Sequence, residues 1–508
     1  MTKKLFTITA GMLTLGAGTG YFVTHQEAAP GGTAWPVESQ AKHLLNTTHR
    51  HREWVNLPVG SSGMRVFTVY PERADNAPVI LITSRQQSAS LLMRAIAVRL
   101  ADEGYIAVVP DILSGRAPNG GDADSFRNPE EVASALARMS TREIDASENF
   151  ARRYGVELPA ADGRSVTLVM DGERVLATVD PPLAVEKSAS FRLRSFRLND
   201  AGWLDVREFL TKRTGNHPVA GKNPNVAEDH SMHFGMAMAQ TLPQPSVSVG
   251  PVGYPRGKLP GLPAGVFTAR SAILNSKLRR EFVDIPMGSA KLHTWVEYPE
   301  GAGKAPIVIV MQHGPGMDDW QRALADQLAQ QGFIAIAADL HSGLGPNGGA
   351  YDSFQATDEV MRATARLTPE DMQARYKAAL EWGKKLPRWN GKAASIGFCM
   401  GGGNSFRFAG EVPELTAAVS YYGATPSEEI QAKIKAPVLA FYGEDDARVT
   451  AAVEPTKASM RKLGKAFDYY VYPHATHGFL EFQDLAGNPA ATSDSWAKTI
   501  EFLRKHTQ

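Results

Sequence analysis

Residues 397–401 read G-F-C-M-G and set a cysteine, the only one in the chain, between two glycines. A small-residue strand enters this segment and a glycine-rich turn leaves it. That spacing lifts the Cys399 thiol clear of a sheet and leaves the next backbone N–H, that of Met400, free for an oxyanion. Attack by such a sulfur on an acyl carbonyl also needs a base and an acid that orients the base. Asp446 in F-Y-G-E-D-D-A-R-V (441–449) and His477 in Y-P-H-A-T-H-G-F (472–479) are the downstream candidates. Each follows an apolar run at a strand-to-loop exit, so both project from the same carboxyl edge of a sheet as the cysteine.

The elements that must position these groups are organised by an internal repeat. Residues 52–126 align without a gap to residues 280–354 at a constant offset, 280 − 52 = 228, and 30 of the 75 pairs are identical. The matches include Tyr70/Tyr298, Pro71/Pro299, Gly104/Gly332, Asp111/Asp339 and a P-N-G-G run beginning at Pro118 and Pro346. A period this long is a duplicated domain and not a solenoid. In each copy an apolar run (79–82; 307–311), a helical stretch and a second apolar run ending in an acid (106–111; 334–339) follow one another. Such alternation predicts tandem α/β domains with mostly parallel, doubly covered sheets. The order cysteine, acid, histidine is the one α/β-hydrolases use, so tandem α/β-hydrolase-like domains are expected.

The second copy carries the pattern on through 394–398, 417–421, 438–442 and 469–472 and forms a whole domain over 280–508. The first copy, 48–171, keeps the register to about residue 171, where Cys399 projects onto Asp171 (399 − 228 = 171) in V-M-D-G-E-R. No elbow survives there, Asp171 reads as a turn residue, and the copy reads as degenerate. Residues 172–275 are an eroded second half, a replacement insert or a small β-containing unit with long loops. Their His230, Met232, His233, Met236 and Met238 could ligate copper by type but read as loop.

Composition narrows the function. Lys and Arg number 54 against 53 Asp and Glu, for a net charge of +1, so no overall field draws the chain to nucleic acid or an anionic membrane. A single cysteine permits no internal disulfide. Lys3 and Lys4 precede an uncharged stretch over 5–23, so residues 1–29 read as a signal peptide with a weak cleavage site, ahead of an uncleaved anchor, the one route to a membrane, and of an atypical leader on a cytoplasmic protein. A secreted or periplasmic monomer is expected.

The motifs I-G-F-C-M-G-G (396–402), S-Y-Y-G (420–423), P-V-L-A-F-Y-G-E-D-D-A-R-V (437–449) and H-G-F (477–479) together resemble the dienelactone hydrolase family. The resemblance covers nearly all of 280–508. It implies Cys399 as nucleophile, Asp446 in preference to Asp445 as the orienting acid, and His477 in preference to His474 as the base. It further implies oxyanion donors from the N–H groups of Met400 and Gly314, and a small ester or lactone substrate. No metal or organic cofactor is called for, and arginines such as Arg407 and Arg448 could hold a substrate carboxylate. Where the family often has a glutamate beside the resting thiol, this chain has His313, an imidazole that would favour thiolate. The rival readings are a general carboxylesterase or thioesterase, and a non-catalytic binding or scaffold protein built on two hydrolase-like lobes.

Overall fold

A computed structural model describes residues 35–59, 63–180, 194–216, 262–288, 290–483 and 487–508. The leader-like residues 1–29 and the His/Met cluster at 230–238 lie outside these. Among the described residues no helix is long and apolar enough to cross a membrane. The body from residue 33 onward is a single compact unit, in which each copy builds its own sheet.

The first sheet contains β1 (Arg52–Leu57), β2 (Met64–Val69), β3 (Ala77–Ser84), β4 (Ile106–Asp111), β5 (Ala161–Asp171), β6 (Arg174–Val179) and β7 (Arg194–Arg197), in the order β1-β2-β4-β3-β5-β6-β7. The second contains β8 (Arg280–Met287), β9 (Ala290–Glu297), β10 (Ala305–Met311), β11 (Ile334–Ala338), β12 (Trp389–Phe398), β13 (Ala417–Tyr421), β14 (Val438–Gly443) and β15 (Phe467–Tyr472). Their order is β15-β14-β13-β12-β10-β11-β9-β8, parallel from β15 through β11. The apolar runs serve both faces of this sheet: Ile307, Ile309 and Met311 enter one core, while Val308 and Val310 enter the other. Continuous apolar strands are what a sheet covered by helices on both sides requires.

The offset of 228 is also a structural register. Ile80 opposes Val166 as Val308 opposes Ala394, and Val79 opposes Ile106 as Ile307 opposes Ile334. Asp111 and Asp339 each accept a backbone N–H, from Ala123 and Tyr351. Gly155 and Gly383 lie beyond the aligned block yet keep the offset. In each a helix approaches so closely that a Cβ would come within 2.8 Å of Val79 or 2.6 Å of Ile336.

The copies part at Asp171. It opposes Arg174 across the hairpin from β5 to β6, with Gly172 at φ +57, the left-handed conformation that such a turn needs and glycine supplies. In the second copy the equivalent strand β12 runs instead into an elbow and a helix. The first sheet is therefore parallel only at β4-β3-β5 and antiparallel on both flanks. Of the possibilities for 172–275, the described part is β6, β7 and the helices Asp200–Thr214 and Ala269–Asn275.

One buried carboxyl in the second copy makes stability pH-dependent. Glu297, where the first copy has Val69, is fully buried and accepts the Trp295 indole N–H at 3.2 Å. Burial, with Asp326 nearby, pushes its carboxyl up to about 8. The folded state therefore holds a proton that the unfolded chain gives up near pH 4.5, so stability falls as pH rises from about 4.5 through 8. Glu297→Gln is expected to raise Tm at pH 8.5 by roughly 2–4 °C, the effect of about 1 kcal/mol in a domain of this size. At pH 5 the gain should be smaller, and calorimetry at the two pH values reads the difference.

Candidate active site

The turn that carries Cys399 is tight because glycines on either side let backbone meet backbone. A Cβ on Gly397 would lie 1.9 Å from the Gly401 carbonyl oxygen, and one on Gly401 would lie 2.2 Å from that of Met311. Between them Cys399 takes φ 54 and ψ −118, a positive φ that a side-chain-bearing residue adopts only where its surroundings enforce it. The helix Met400–Glu411 begins at the next residue. Its first N–H groups have no intrahelical acceptor, and Met400, which carries the first of them, lines the cavity over the elbow. Gly314 lines the same cavity, on the loop after β10.

The acid and the histidine arrive from neighbouring strand ends. After β14 the chain turns, the Asp446 N–H bonding back to the Gly443 carbonyl. After β15 a loop brings His477 across, and its Nδ1 meets Asp446 Oδ2 at 2.5 Å. His477 Nε2 is buried without a hydrogen-bond partner. Asp446 is 4 % exposed and His477 8 %. By contrast the His474 side chain is 79 % exposed beside Glu444, and Asp445 is half-buried and bonds through its backbone N–H to Ala475. The structure thus gathers Cys399, Asp446 and His477 and leaves Asp445 and His474 outside.

Their charges are coupled. Burial alone would push the Cys399 thiol up, but His477 and then His51 outweigh it and hold the thiol well below its usual range. Burial likewise disfavours the His477 cation, yet Asp446 and Cys399 raise it to about 10. Both shifts run toward a thiolate beside an imidazolium, the ionic form of a reactive cysteine.

His313 does not act on the sulfur. Its Nδ1 faces Glu481 at 3.3 Å and its Nε2 faces Asp318 at 3.1 Å, so both ring nitrogens are taken by carboxylates. Burial opposes its charge, but Asp318 and Glu481 raise it well above the ordinary imidazole range. The expectation that His313 tunes the thiol is therefore corrected: it is a buried cation locked between two acids. Arg407, offered as a carboxylate ligand, pairs instead with Glu411 and Glu370.

Sequence reasoning missed the contribution of the first copy. A cavity of about 710 Å³ opens over Cys399, walled by Arg50, Arg52 and Trp54 of the first copy as well as Met400, Arg448 and Glu481 of the second. Glu72 is buried and its Oε2 accepts the His477 backbone N–H at 3.0 Å. The Arg73 carbonyl accepts the Ala447 N–H at 3.1 Å, next to the acid. Burial pushes the Glu72 carboxyl up to about 7, against the pull of Arg50. His51 Nδ1 lies 3.6 Å from Cys399 Sγ. The one available signal was comparison of the copies, in which His51 stands where the second copy has Arg279; Glu72 and its counterpart Glu300 are the same residue, and only folding buries the first.

His51, Cys399 and His477 each offer a donor atom within 4.8 Å of the others, a thiolate and imidazole set of the softness that suits zinc. His313, Asp318 and Glu481 form a second such group, and Glu444, Asp445 and His474 a third, at the surface.

Eight strands, mostly parallel, with a cysteine elbow after β12, an acid after β14 and a histidine after β15, define an α/β-hydrolase. The profile of the dienelactone hydrolase family matches residues 64–169 and 292–507, and the chain belongs to that family, as a tandem duplication. It is, on that ground, a hydrolase. Among curated relatives, a Yersinia pestis protein with the provisional name carboxymethylenebutenolidase is 25% identical over 234 residues, 44% of this chain and 86% of that one. A Saccharolobus solfataricus protein with the same provisional name is 28% identical over 250 residues, 42% of this chain and 95% of that one. Among solved structures, the dienelactone hydrolase of Anabaena variabilis is 21% identical with a TM-score of 0.36, covering 46% of this chain and 100% of that one.

Proposed function

We propose that the chain hydrolyses a small carboxylic ester or lactone through an acyl-enzyme on Cys399. The observation that carries this reading is the convergence of a cysteine on a strained elbow with a buried His477–Asp446 pair. The Cys399 thiolate attacks the carbonyl carbon, forming a C–S bond and an oxyanion that the N–H groups of Met400 and Gly314 would receive. Collapse breaks the C–O bond, and the leaving alkoxide takes the proton from His477 Nε2. His477, now neutral, removes a proton from water; the resulting hydroxide adds to the thioester, and the C–S bond breaks to return the thiolate and release the acid. Asp446 holds Nδ1 throughout, which keeps Nε2 aimed at the reacting atoms.

The provisional names of the relatives support a lactone as substrate, and the cavity's Arg52 and Arg448 support one bearing a carboxylate. The uncharged stretch after Lys3 and Lys4 supports action outside the cytoplasm, which fractionation of the host cell would test.

The mechanism is tested with p-nitrophenyl acetate and a set of small lactones. Cys399→Ala is expected to lower turnover by roughly 10⁴-fold or more, and a slowly hydrolysed ester should leave its acyl mass on the peptide containing Cys399. Undiminished turnover by Cys399→Ala would show that another group carries the reaction.

A further inference from the structure

The first copy has lost its own elbow, yet it places an imidazole on the sulfur of the second. His51 Nδ1 lies 3.6 Å from Cys399 Sγ, and its ring centroid is 4.4 Å from that of His477. On its far side, His51 Nε2 is buried without a hydrogen-bond partner and faces Glu53 Oε2 at 3.9 Å. His477 has the same design in mirror: one nitrogen toward the sulfur, the other toward a carboxylate, Asp446. Two histidine–carboxylate couples, one from each copy, therefore converge on a single sulfur.

The repeat shows how this came about. In the second copy the position of His51 is Arg279, which pairs with Glu281 at 3.0 Å and stacks its guanidinium over Tyr298 at 4.6 Å, while the Tyr298 hydroxyl donates to Glu281 at 2.8 Å. In the first copy the Tyr70 hydroxyl still donates to Glu53 at 2.8 Å. The cation over the Tyr70 ring, however, is Arg448, reaching across from the acid turn of the second copy at 5.4 Å. Arg448 has taken the place of the arginine that the first copy lacks. His51 keeps a tilted contact with the Tyr70 ring, centroids 5.4 Å apart, and turns its Nδ1 to the thiol.

We infer that His51 is a catalytic residue of a composite site, donating its Nδ1–H to the Cys399 sulfur alongside the His477 imidazole. This rests on Cys399 being the nucleophile proposed above. An Nδ1–H toward sulfur is available both in the imidazolium and in one neutral tautomer, so the contact does not depend on a single charge state. In the resting enzyme the bond holds the thiolate. In deacylation it receives the thiolate as the C–S bond breaks, the step at which negative charge returns to sulfur, while His477 is engaged with water. Against the desolvation that opposes it, His51, Arg448 and Tyr70 hold the Glu53 carboxyl down at about 2, so the far side of the couple stays anionic. The other titratable or charged groups around the sulfur are His477 with Asp446, Arg448, Tyr422 and Glu481.

The test reads the thiol directly. Because Cys399 is the only cysteine, the rate of iodoacetamide alkylation against pH, followed by intact mass, reports its ionisation without ambiguity. In the full chain, His51→Gln is expected to move the midpoint up by about one pH unit and to lower kcat about tenfold with a smaller change in KM. His51→Arg, which restores the residue of the other copy, is expected to lower kcat likewise. An unchanged midpoint in folded His51→Gln overturns the inference. Should that variant fail to fold, Glu53→Gln is read in its place: an upward shift supports the couple, and no shift overturns it. Alkylation needs no turnover, so activity surviving in Cys399→Ala would sink the hydrolytic mechanism while the thiol midpoint still judged His51.

Discussion

Asp446→Asn is expected to lower kcat by about 10³–10⁴-fold, equivalent to roughly 4–5.5 kcal/mol of barrier, with little change in fold. The carboxylate accepts from His477 Nδ1 at 2.5 Å in a site with almost no solvent. An asparagine there can turn its NH₂ to Nδ1, which forces the ring proton onto Nε2 and leaves no base for water. The pH behaviour follows from the same pair. His477 is held protonated up to about pH 10, burial opposing and Asp446 and Cys399 outweighing it. Removing the carboxylate lets the ring lose its proton at lower pH, so Cys399 loses its cation partner and its alkylation midpoint moves up. A variant that kept wild-type kcat and an unmoved thiol midpoint would show that Asp446 does not orient the base.

Asp358→Ala is expected to destabilise the chain by about 3 kcal/mol, because it leaves a buried guanidinium with only the more distant, partly exposed Asp124 as a partner. Arg94 of the first copy is 1 % exposed and bonds through Nη1 to Asp358 of the second at 2.5 Å. The repeat explains the guanidinium's own setting: Arg94 with Asp124 and Trp54 corresponds to Arg322 with Asp352 and Phe282, each residue shifted by 228. What is new in the first copy is the bond across to Asp358. Asp124 in turn pairs with Arg362, so two acids and two arginines alternate across the contact. Urea unfolding reads the loss. The double variant Arg94→Leu/Asp358→Leu should recover much of it, since a removed pair leaves no lone charge. A loss below about 1 kcal/mol would mean that this cluster does not fasten the copies together.

These two sites also mark where sequence reasoning reaches and where it stops. Cys399, Asp446 and His477 were legible because each sits in a short signature at a strand exit, and strand exits of a parallel sheet share an edge. The end of the repeat at Asp171 was legible as well, since V-M-D-G-E-R carries a hairpin turn where the other copy carries an elbow. His51, Glu53 and Glu72 were not, for their roles arise from how two folded copies dock. Nothing within either copy's pattern encodes that contact, and His51 falls one residue ahead of the aligned block. His313 was misjudged for a related reason: its neighbour Glu481 is 168 residues away in sequence, and no local spacing announces that an imidazole there will be taken up by two acids.

The sulfur held by these imidazoles has a vulnerability of its own. A thiolate kept ionised is also the form that peroxide oxidises, and a sulfenic acid on Cys399 would find no second thiol in this chain to form a resolving disulfide. Recovery then depends on a reductant from outside, small enough to enter the cavity roofed by Arg50, Arg52 and Trp54. The wall that the first copy lends to the site thus sets which oxidants and which rescuing thiols can reach its one thiol sulfur.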